Sequence, residues 1–589
     1  MLSTTNFLLV SAFFLASPVL GELFCKTNPL DPSWPTTDEW NALNQSTNGV
    51  LIHSRPVASS CYDGNPFEST TSCAHVQENW FLSAFHAEQP ESIGYSYWAN
   101  NTCVPPNDYG YIEGQQCQLG GLPEYILNAS TAEQVATAAE WASSRNIRIV
   151  VKGTGHDLNG RSSGAYSLSI WTRHLTNTEF DANWPLPGGN GTENVAIFGS
   201  GNTWGAALES AAAVGRTVVS GQDPTVGLGG FIGGGGHGPL SSHYGLAADQ
   251  VLQATVVTTG GQILVANDAQ NRDMFWAIRG GGPGLYGIVI EYVIRTHPLP
   301  QNVVLGTLRL SIDENATSGA SDASWNALAT LVSSLPDLMD SGITGNGIAT
   351  TTKSAPNASS AAKGVTISLT LFGYNTTTAA FKSSVEPIKS RMLASAADQT
   401  VSIDLSETQV LPSYSALFDV LNPMDSSCGE IKDVRGHLQN ITQTQVAGGQ
   451  ARLIIGLQGG LGPRNVEMRM RGALTPAWRE AYLHVIATGT NVNTTDSTPK
   501  KALSAAAAWA EGHKEAVWRK WAPESGSYIN EANPFNSNFK KDFYGGNYER
   551  LVSIKNKYDP TASLYVQSGV GSDVWSYDLD SGKLCREIK

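Results

Sequence analysis

Between Ser220 and Asp249 the chain reads SGQDPTVGLGGFIGGGGHGPLSSHYGLAAD, with nine glycines among its first nineteen residues. Glycine loses more conformational freedom on folding than any other residue, so such a density implies positive φ angles or a close approach of backbone to something else. Backbone N–H groups without side chains around them can close on an anion, as phosphate-cradling loops do. A flexible linker is the alternative, but linkers lack the β-branched strands that flank this block, RTVVSG before it and VLQATVVT after it. The block therefore predicts an ordered cradle for a phosphate-bearing cofactor.

A second glycine turn lies upstream in VVKGTGHDLNG, Val150 to Gly160, where His156 follows a β-branched run. Alone, His156 reads as an ordinary loop histidine. Beside an anion-binding loop, an imidazole exposed by a glycine turn has three roles open to it: ligand, base or covalent tether.

Strands and helices alternate around these loops. NASTAEQVATAAEWASSRN predicts an amphipathic helix with Ser130 and Glu133 as its capping box and Val135, Ala138, Ala139 and Ala142 on one face. IRIVV follows as a buried strand, and SLSIW, VAIFGSG, a helix from about Trp204 to Val214, VLQATVVT and GIVIEYVIRT continue the alternation. Residues 120–301 read as an α+β domain. Beyond Pro300 VTISLTLFGY alternates apolar and polar residues as half-buried antiparallel strands do, and long helical text follows. Residues 302–524 are expected to form a second domain, a sheet with one covered face, and 525–589 to return to the first.

Composition narrows the setting. The 589 residues carry 37 Lys plus Arg against 51 Asp plus Glu, a net charge of −14 without any basic run. Nucleic acid and anionic membranes are disfavoured as partners. Residues 1–21, MLSTTNFLLVSAFFLASPVLG, fit a cleaved secretory signal although they lack Lys or Arg, and no later run approaches the roughly 20 apolar residues of a membrane span. Nine Asn-x-Ser/Thr sequons (Asn44, Asn100, Asn128, Asn190, Asn315, Asn357, Asn375, Asn440, Asn493) predict N-glycans, and a secreted, lumenal or vacuolar location follows. Five of the seven cysteines fall before residue 118, so 22–119 is expected to be a disulfide-stapled extension with one thiol left unpaired. Zinc is the rival explanation, but no two cysteines have ligand spacing, and no metal is expected.

Two motif matches lose their meaning in context. GPGLYG, Gly282 to Gly287, fits G-x-G-x-x-G, but a dinucleotide fingerprint follows a strand and opens a helix, whereas here helical RDMFWAIRGG precedes and a strand follows. GRSSG, Gly160 to Gly164, fits the serine nucleophile elbow, but strand-like AYSLSIW stands where a helix is needed. A secreted serine hydrolase is thus one rival hypothesis, and a non-catalytic protein that merely holds the phosphate-bearing cofactor is another.

Taken together, KGTGHDLNGRSSG, DPTVGLGGFIGGGGHGPLSSHYGLAADQV, DMFWAIRGGGPGLYGIV and the tail YIN with FYGGNYERLVSIKNKYDP resemble the berberine-bridge-enzyme-like branch of the vanillyl-alcohol-oxidase superfamily. The chain is similar to fungal members described as isoamyl alcohol oxidases and to others in secondary-metabolite pathways. The resemblance implies a bipartite FAD-binding domain of the PCMH type, with 302–524 inserted as an antiparallel-sheet substrate domain covered by helices. It implies a flavin tethered through its 8α-methyl carbon to His156. Lys152, Gly153, Thr154, Gly155 and Asp157 would lie along the pyrophosphate. The opposite wall would come from Pro224, Thr225, Val226, Gly227, Gly229 and Gly230, then Gly234, Gly235 and Gly238, with Asn530 from the tail. The family reaction passes a hydride from a substrate carbon to flavin N5 with help from a base, and O2 usually reoxidises the flavin.

One departure matters. Many relatives carry a cysteine immediately before P-T-V-G and use it for a second bond to flavin C6; here Asp223 stands there, and no cysteine occurs between 118 and 427. A single histidyl bond is predicted. Relatives often place a tyrosine after the asparagine of Y-x-N-Y, whereas this chain has Tyr528, Ile529, Asn530, Glu531. Glu531, His237 and Tyr528 are therefore the candidate bases. The expected protein is a secreted or lumenal FAD-linked oxidase or dehydrogenase acting on an alcohol or similar C–H group of a small metabolite.

Overall fold

A computed structural model describes residues 23–587 apart from 109, 190, 314–318, 352–363, 398–400, 419, 422–433, 446–449 and 494–496. The expected leader at 1–21, Cys428 and the sequons at Asn190, Asn315 and Asn357 lie outside the described residues.

The periodic text after Asn128 folds as the helix Ala132–Ser144, with Val135, Ala138, Ala139 and Ala142 fully buried. Its capping box is shifted by one residue from the expected pair. Thr131 Oγ1 accepts from Gln134 N–H, and Gln134 Oε1 accepts from the N–H groups of Thr131 and Ser130, while Glu133 is left exposed. The helix packs on a four-stranded sheet ordered Leu51–His53, Tyr125–Asn128, Ser167–Trp171, Arg148–Lys152, of which the last three are parallel. Arg148–Lys152 is the edge, and Ile149 pairs in parallel with Leu564, which brings the tail back against this sheet.

A second sheet is antiparallel, ordered Ile263–Asn267, Val251–Val257, Ile288–Arg295, Thr192–Gly199, Thr178–Pro185. Beside it the tail helix Tyr548–Tyr558 buries Leu551, Ile554 and Tyr558 in one cluster with Met274 and Phe275 of the helix Arg272–Ile278.

The third sheet has seven antiparallel strands and lies within 303–487. Val365, Ile367, Leu369 and Leu371 of the strand Val365–Tyr374 meet Leu328, Leu331 and Leu335 of the helix Gly319–Asp340, and Val385, Ile388 and Met392 of Thr378–Ala396. The expected alternation fails at one end. Phe372, Val303 and Leu305 join the core that holds the glycine block, so the sheet is covered on both faces there. Asn346 donates to Gln222 (3.0 Å) and the Tyr374 hydroxyl to the Pro239 carbonyl (2.8 Å), fixing this second face over the glycine block.

The extension is stapled by Cys61–Cys73 and Cys103–Cys117, but Cys25 pairs with Cys585, joining its start to the far end of the chain. It also has a small core of its own, formed by Val57, Val76, Trp80, Phe85 and Val104.

Candidate active site

The strand Arg148–Lys152 ends in a glycine turn that delivers His156 to a cavity of about 360 Å³. Gly155 has φ +78°, and a Cβ there would lie 3.1 Å from the Ser92 carbonyl oxygen, so the turn requires glycine. His156 Nε2 is 2.6 Å from Thr225 Oγ1, and the Thr225 hydroxyl is 2.7 Å from Asp223 Oδ1. Asp223 Oδ2 is 3.6 Å from the same His156 nitrogen. Burial lowers the His156 pKa below its ordinary value, and the Asp223 carboxylate opposes that shift.

Both glycine segments line the cavity. Gly153, Thr154, Gly155 and Asp157 lie on it from the first, and Val226, Gly227, Gly229, Gly230 and Gly238 from the second. A Cβ on Gly229 or Gly230 would meet no protein atom within 4 Å, so these glycines keep space open for a ligand. Arg161, also on the wall, binds Asp157 through Nε (3.0 and 2.9 Å) and donates to Asn530 Oδ1 (2.9 Å). Asn530 in turn donates to Tyr528 Oη (2.7 Å) and the Gly230 carbonyl (3.1 Å), tying the tail to both glycine segments.

Five expected cofactor contacts are off the lining. Lys152 turns its ammonium away, where it donates to the carbonyl oxygens of His86 (3.0 Å) and Gln89 and so clamps the extension. Thr225 stands behind the His156 ring. Pro224 packs on Gly205, the side chain of Asn530 covers Gly234, and Leu474 covers Gly235.

Three candidate bases meet on the wall of the same cavity. His237 Nε2 is 3.2 Å from Glu531 Oε1, and the Tyr528 ring lies edge-on to the imidazole at 4.9 Å. Gly236 makes this possible, with φ +76° and no room for a Cβ beside Phe231. The Glu531 side chain is only 11% exposed, so it is not an ordinary solvated surface glutamate. Burial raises the Tyr528 pKa well above its ordinary value, and the Glu531 charge adds to this, so Tyr528 is a neutral phenol.

Sequence reasoning missed His484, on the strand His484–Ala487 of the third sheet. It is fully buried, its ring 4.2 Å from His237 and its Nε2 3.7 Å from Glu531 Oε2. Burial and the neighbouring His237 hold its pKa well below the usual value. Nothing in YLHVIATGT distinguishes it from a core histidine. Donor atoms of His237, His484 and Glu531 all lie within 4.8 Å of one another, a spacing that a divalent cation could also bridge. Ser83 and Tyr95 of the extension and Gln458 of the third sheet's connections line the cavity too, without any motif to announce them.

Among the described residues, four wall atoms are buried without a protein partner: Arg161 Nη1, Ser200 Oγ, His237 Nδ1 and Gln458 Oε1. Buried polar atoms are ordinarily satisfied, so this set fits a polar ligand that supplies the missing partners. Ser162, the serine of GRSSG, sits in a turn that leads into the strand Ser167–Trp171, which is not a nucleophile elbow. Glycine walls open to a phosphate-bearing ligand, beside a titratable cluster, fit the cofactor-dependent oxidoreductase that the sequence resemblance implies.

Comparison with known proteins gives the family. The FAD binding domain family matches residues 123–267, and the Berberine and berberine like family matches residues 527–571. The VAO-type flavoprotein oxidase VAO615 of Thermothelomyces thermophilus is 32% identical over 586 residues, covering 95% of each chain. The FAD-linked oxidoreductase patO of Aspergillus clavatus is 32% identical over 612 residues, covering 99% of this chain and 98% of the relative. A crystal structure of a VAO-type flavoprotein from Myceliophthora thermophila C1 superposes with a TM-score of 0.81 at 30% identity, covering 96% of this chain and all of that one. Glucooligosaccharide oxidase of Acremonium strictum, described with a 6-S-cysteinyl, 8α-N1-histidyl FAD, shares the fold at 19% identity and a TM-score of 0.57, over 76% of this chain and 91% of that one. The chain belongs to the VAO-type family of FAD-linked oxidoreductases, in its berberine-bridge branch. It is an FAD-dependent oxidoreductase.

Proposed function

We propose that this enzyme oxidises an alcohol or comparable C–H group of a small metabolite, with FAD held by one covalent bond to His156 and reoxidised by O2. The observation that carries the reading is the His237–Glu531 pair at 3.2 Å on the wall of the cavity that also receives His156. FAD, when bound, supplies the hydride acceptor. Glu531 is the group that accepts the substrate proton, directly or through His237, and His484 keeps its neutral ring against them from the roof made by 302–524. Asn530 and Arg161 hold the tail in place. Three disulfides support an oxidising compartment, hence secretion or a secretory lumen, and the exposed sequons Asn375, Asn440 and Asn493 are the best-placed glycan sites. Among the described residues no helix is long and apolar enough to cross a membrane. The name of the oxidase from Thermothelomyces thermophilus supports O2 as the acceptor.

A peroxide-release screen over alcohols supplies a substrate, and anaerobic stopped-flow then reads flavin reduction. Glu531→Gln and His237→Ala are expected to slow reduction by about 10²-fold or more, the usual worth of general-base help, and Tyr528→Phe by much less. Dialysis against a chelator leaves the rate unchanged if the cluster works by proton transfer. Wild-type rates in all three variants overturn this base assignment.

A further inference from the structure

Where many relatives have a cysteine, Asp223 is hydrogen bonded to the residue that contacts His156. Its Oδ1 accepts both the Thr225 N–H (2.8 Å) and the Thr225 hydroxyl (2.7 Å). A carboxylate only accepts, so the one hydroxyl proton of Thr225 points to Asp223. Thr225 Oγ1 must then be the acceptor in its 2.6 Å contact with His156, which places a proton on Nε2 and leaves Nδ1 with a free lone pair.

We propose that Asp223 and Thr225 form a proton relay for covalent attachment of the flavin, with Nδ1 of His156 as the bonding atom. The proposal rests on His156 being the tether. As the Nδ1–C bond forms, an 8α C–H bond of the flavin breaks; its electron pair and proton remain with the ring system, which is thereby reduced by two electrons. The imidazole is left with a positive charge and sheds its Nε2 proton through the Thr225 hydroxyl to Asp223. Dioxygen takes the two electrons together with the two protons and leaves as hydrogen peroxide, returning the attached flavin to the oxidised state. Asp223 Oδ2, 3.6 Å from Nε2, is also placed to stabilise the transient cation. Burial that keeps the His156 imidazole neutral preserves its nucleophilicity. The aspartate thus replaces a second covalent bond with help in making the first.

The test uses the full-length chain produced under riboflavin limitation. FAD is added, aliquots are denatured, and intact mass follows the adduct with time while native gel filtration reports flavin held without a bond. Wild type is expected to gain one adduct with release of peroxide. Asp223→Asn and Thr225→Val should attach flavin about 10²-fold more slowly or not at all, the scale of a lost general base, while Thr225→Ser stays within a few-fold of wild type. If Asp223→Asn holds no flavin, the Thr225→Val and Thr225→Ser pair decides. Wild-type attachment rates in Thr225→Val, or equal loss in Thr225→Ser, overturn the relay and leave the tether intact. No adduct on wild type, or an adduct on His156→Ala, removes the tether itself.

Discussion

Single residues decide what the cavity can admit. Gly236 and Gly229 separate two reasons for glycine. At Gly236 a Cβ would meet the Phe231 ring at 2.4 Å with φ +76°, so Gly236→Ala should cost about 1–3 kcal/mol of stability and displace His237. At Gly229 a Cβ meets no protein atom, so Gly229→Ala should leave chemical denaturation within about 0.5 kcal/mol of wild type while weakening FAD uptake. Equal denaturation midpoints for the two variants would contradict this division. At this scale the sequence was informative where motifs lay. His156, His237, Asn530 and Glu531 all reach the cavity, because glycine turns and a recognisable tail fix their backbones. Lys152 was misplaced, since its ammonium serves the carbonyls of an extension whose text has no period to read. His484 was invisible, since its significance comes from a neighbour 247 residues earlier in the chain, His237.

At the scale of elements, local periodicity was a good guide and tertiary burial was not. The helix after Asn128 and the strands Arg148–Lys152 and Val251–Val257 follow from spacing alone. The capping pair moved by one residue because Ser130 and Thr131 are both competent caps, and Thr131 is the one whose hydroxyl accepts from the Gln134 N–H. The second covered face of the third sheet depends on contacts with the glycine block that no strand pattern encodes. One buried ion pair fastens that block to a segment leading into the third sheet. Arg479 meets Asp249 in two parallel bonds of 2.9 and 2.8 Å, and Asp249 also accepts the Leu246 N–H (3.0 Å). Asp249→Ala strands a buried guanidinium and should cost about 3–5 kcal/mol, read as a shift in urea midpoint. A loss below about 1 kcal/mol would show that the pair is not holding the two parts together.

The whole molecule carries a pH dependence set by buried histidines. His86 is pushed down to about 4, mainly by burial, and is fixed neutral between the Ser92 hydroxyl and the Trp80 carbonyl. His297 is pushed down to about 3 by burial and nearby arginines, against Tyr244. Both lie below the ordinary value of 6.5, so the unfolded chain binds more protons between those limits and stability rises with pH there. Falling from about pH 6.5 each histidine should cost about 1.4 kcal/mol per unit until its folded pKa is passed. Urea midpoints taken at about pH 7 and about pH 5 check this, and a His86→Gln, His297→Gln double variant should flatten the slope. Extension, glycine block, tail and the connections of the third sheet all reach one cavity, which is the arrangement that the proposed single bond between FAD and His156 requires. The most direct measurement is peptide mapping of the acid-denatured, purified protein by mass and flavin fluorescence. The account predicts one flavin per chain, on the peptide containing His156 and on no other. Flavin released by denaturation, or fluorescence on a different peptide, would contradict it.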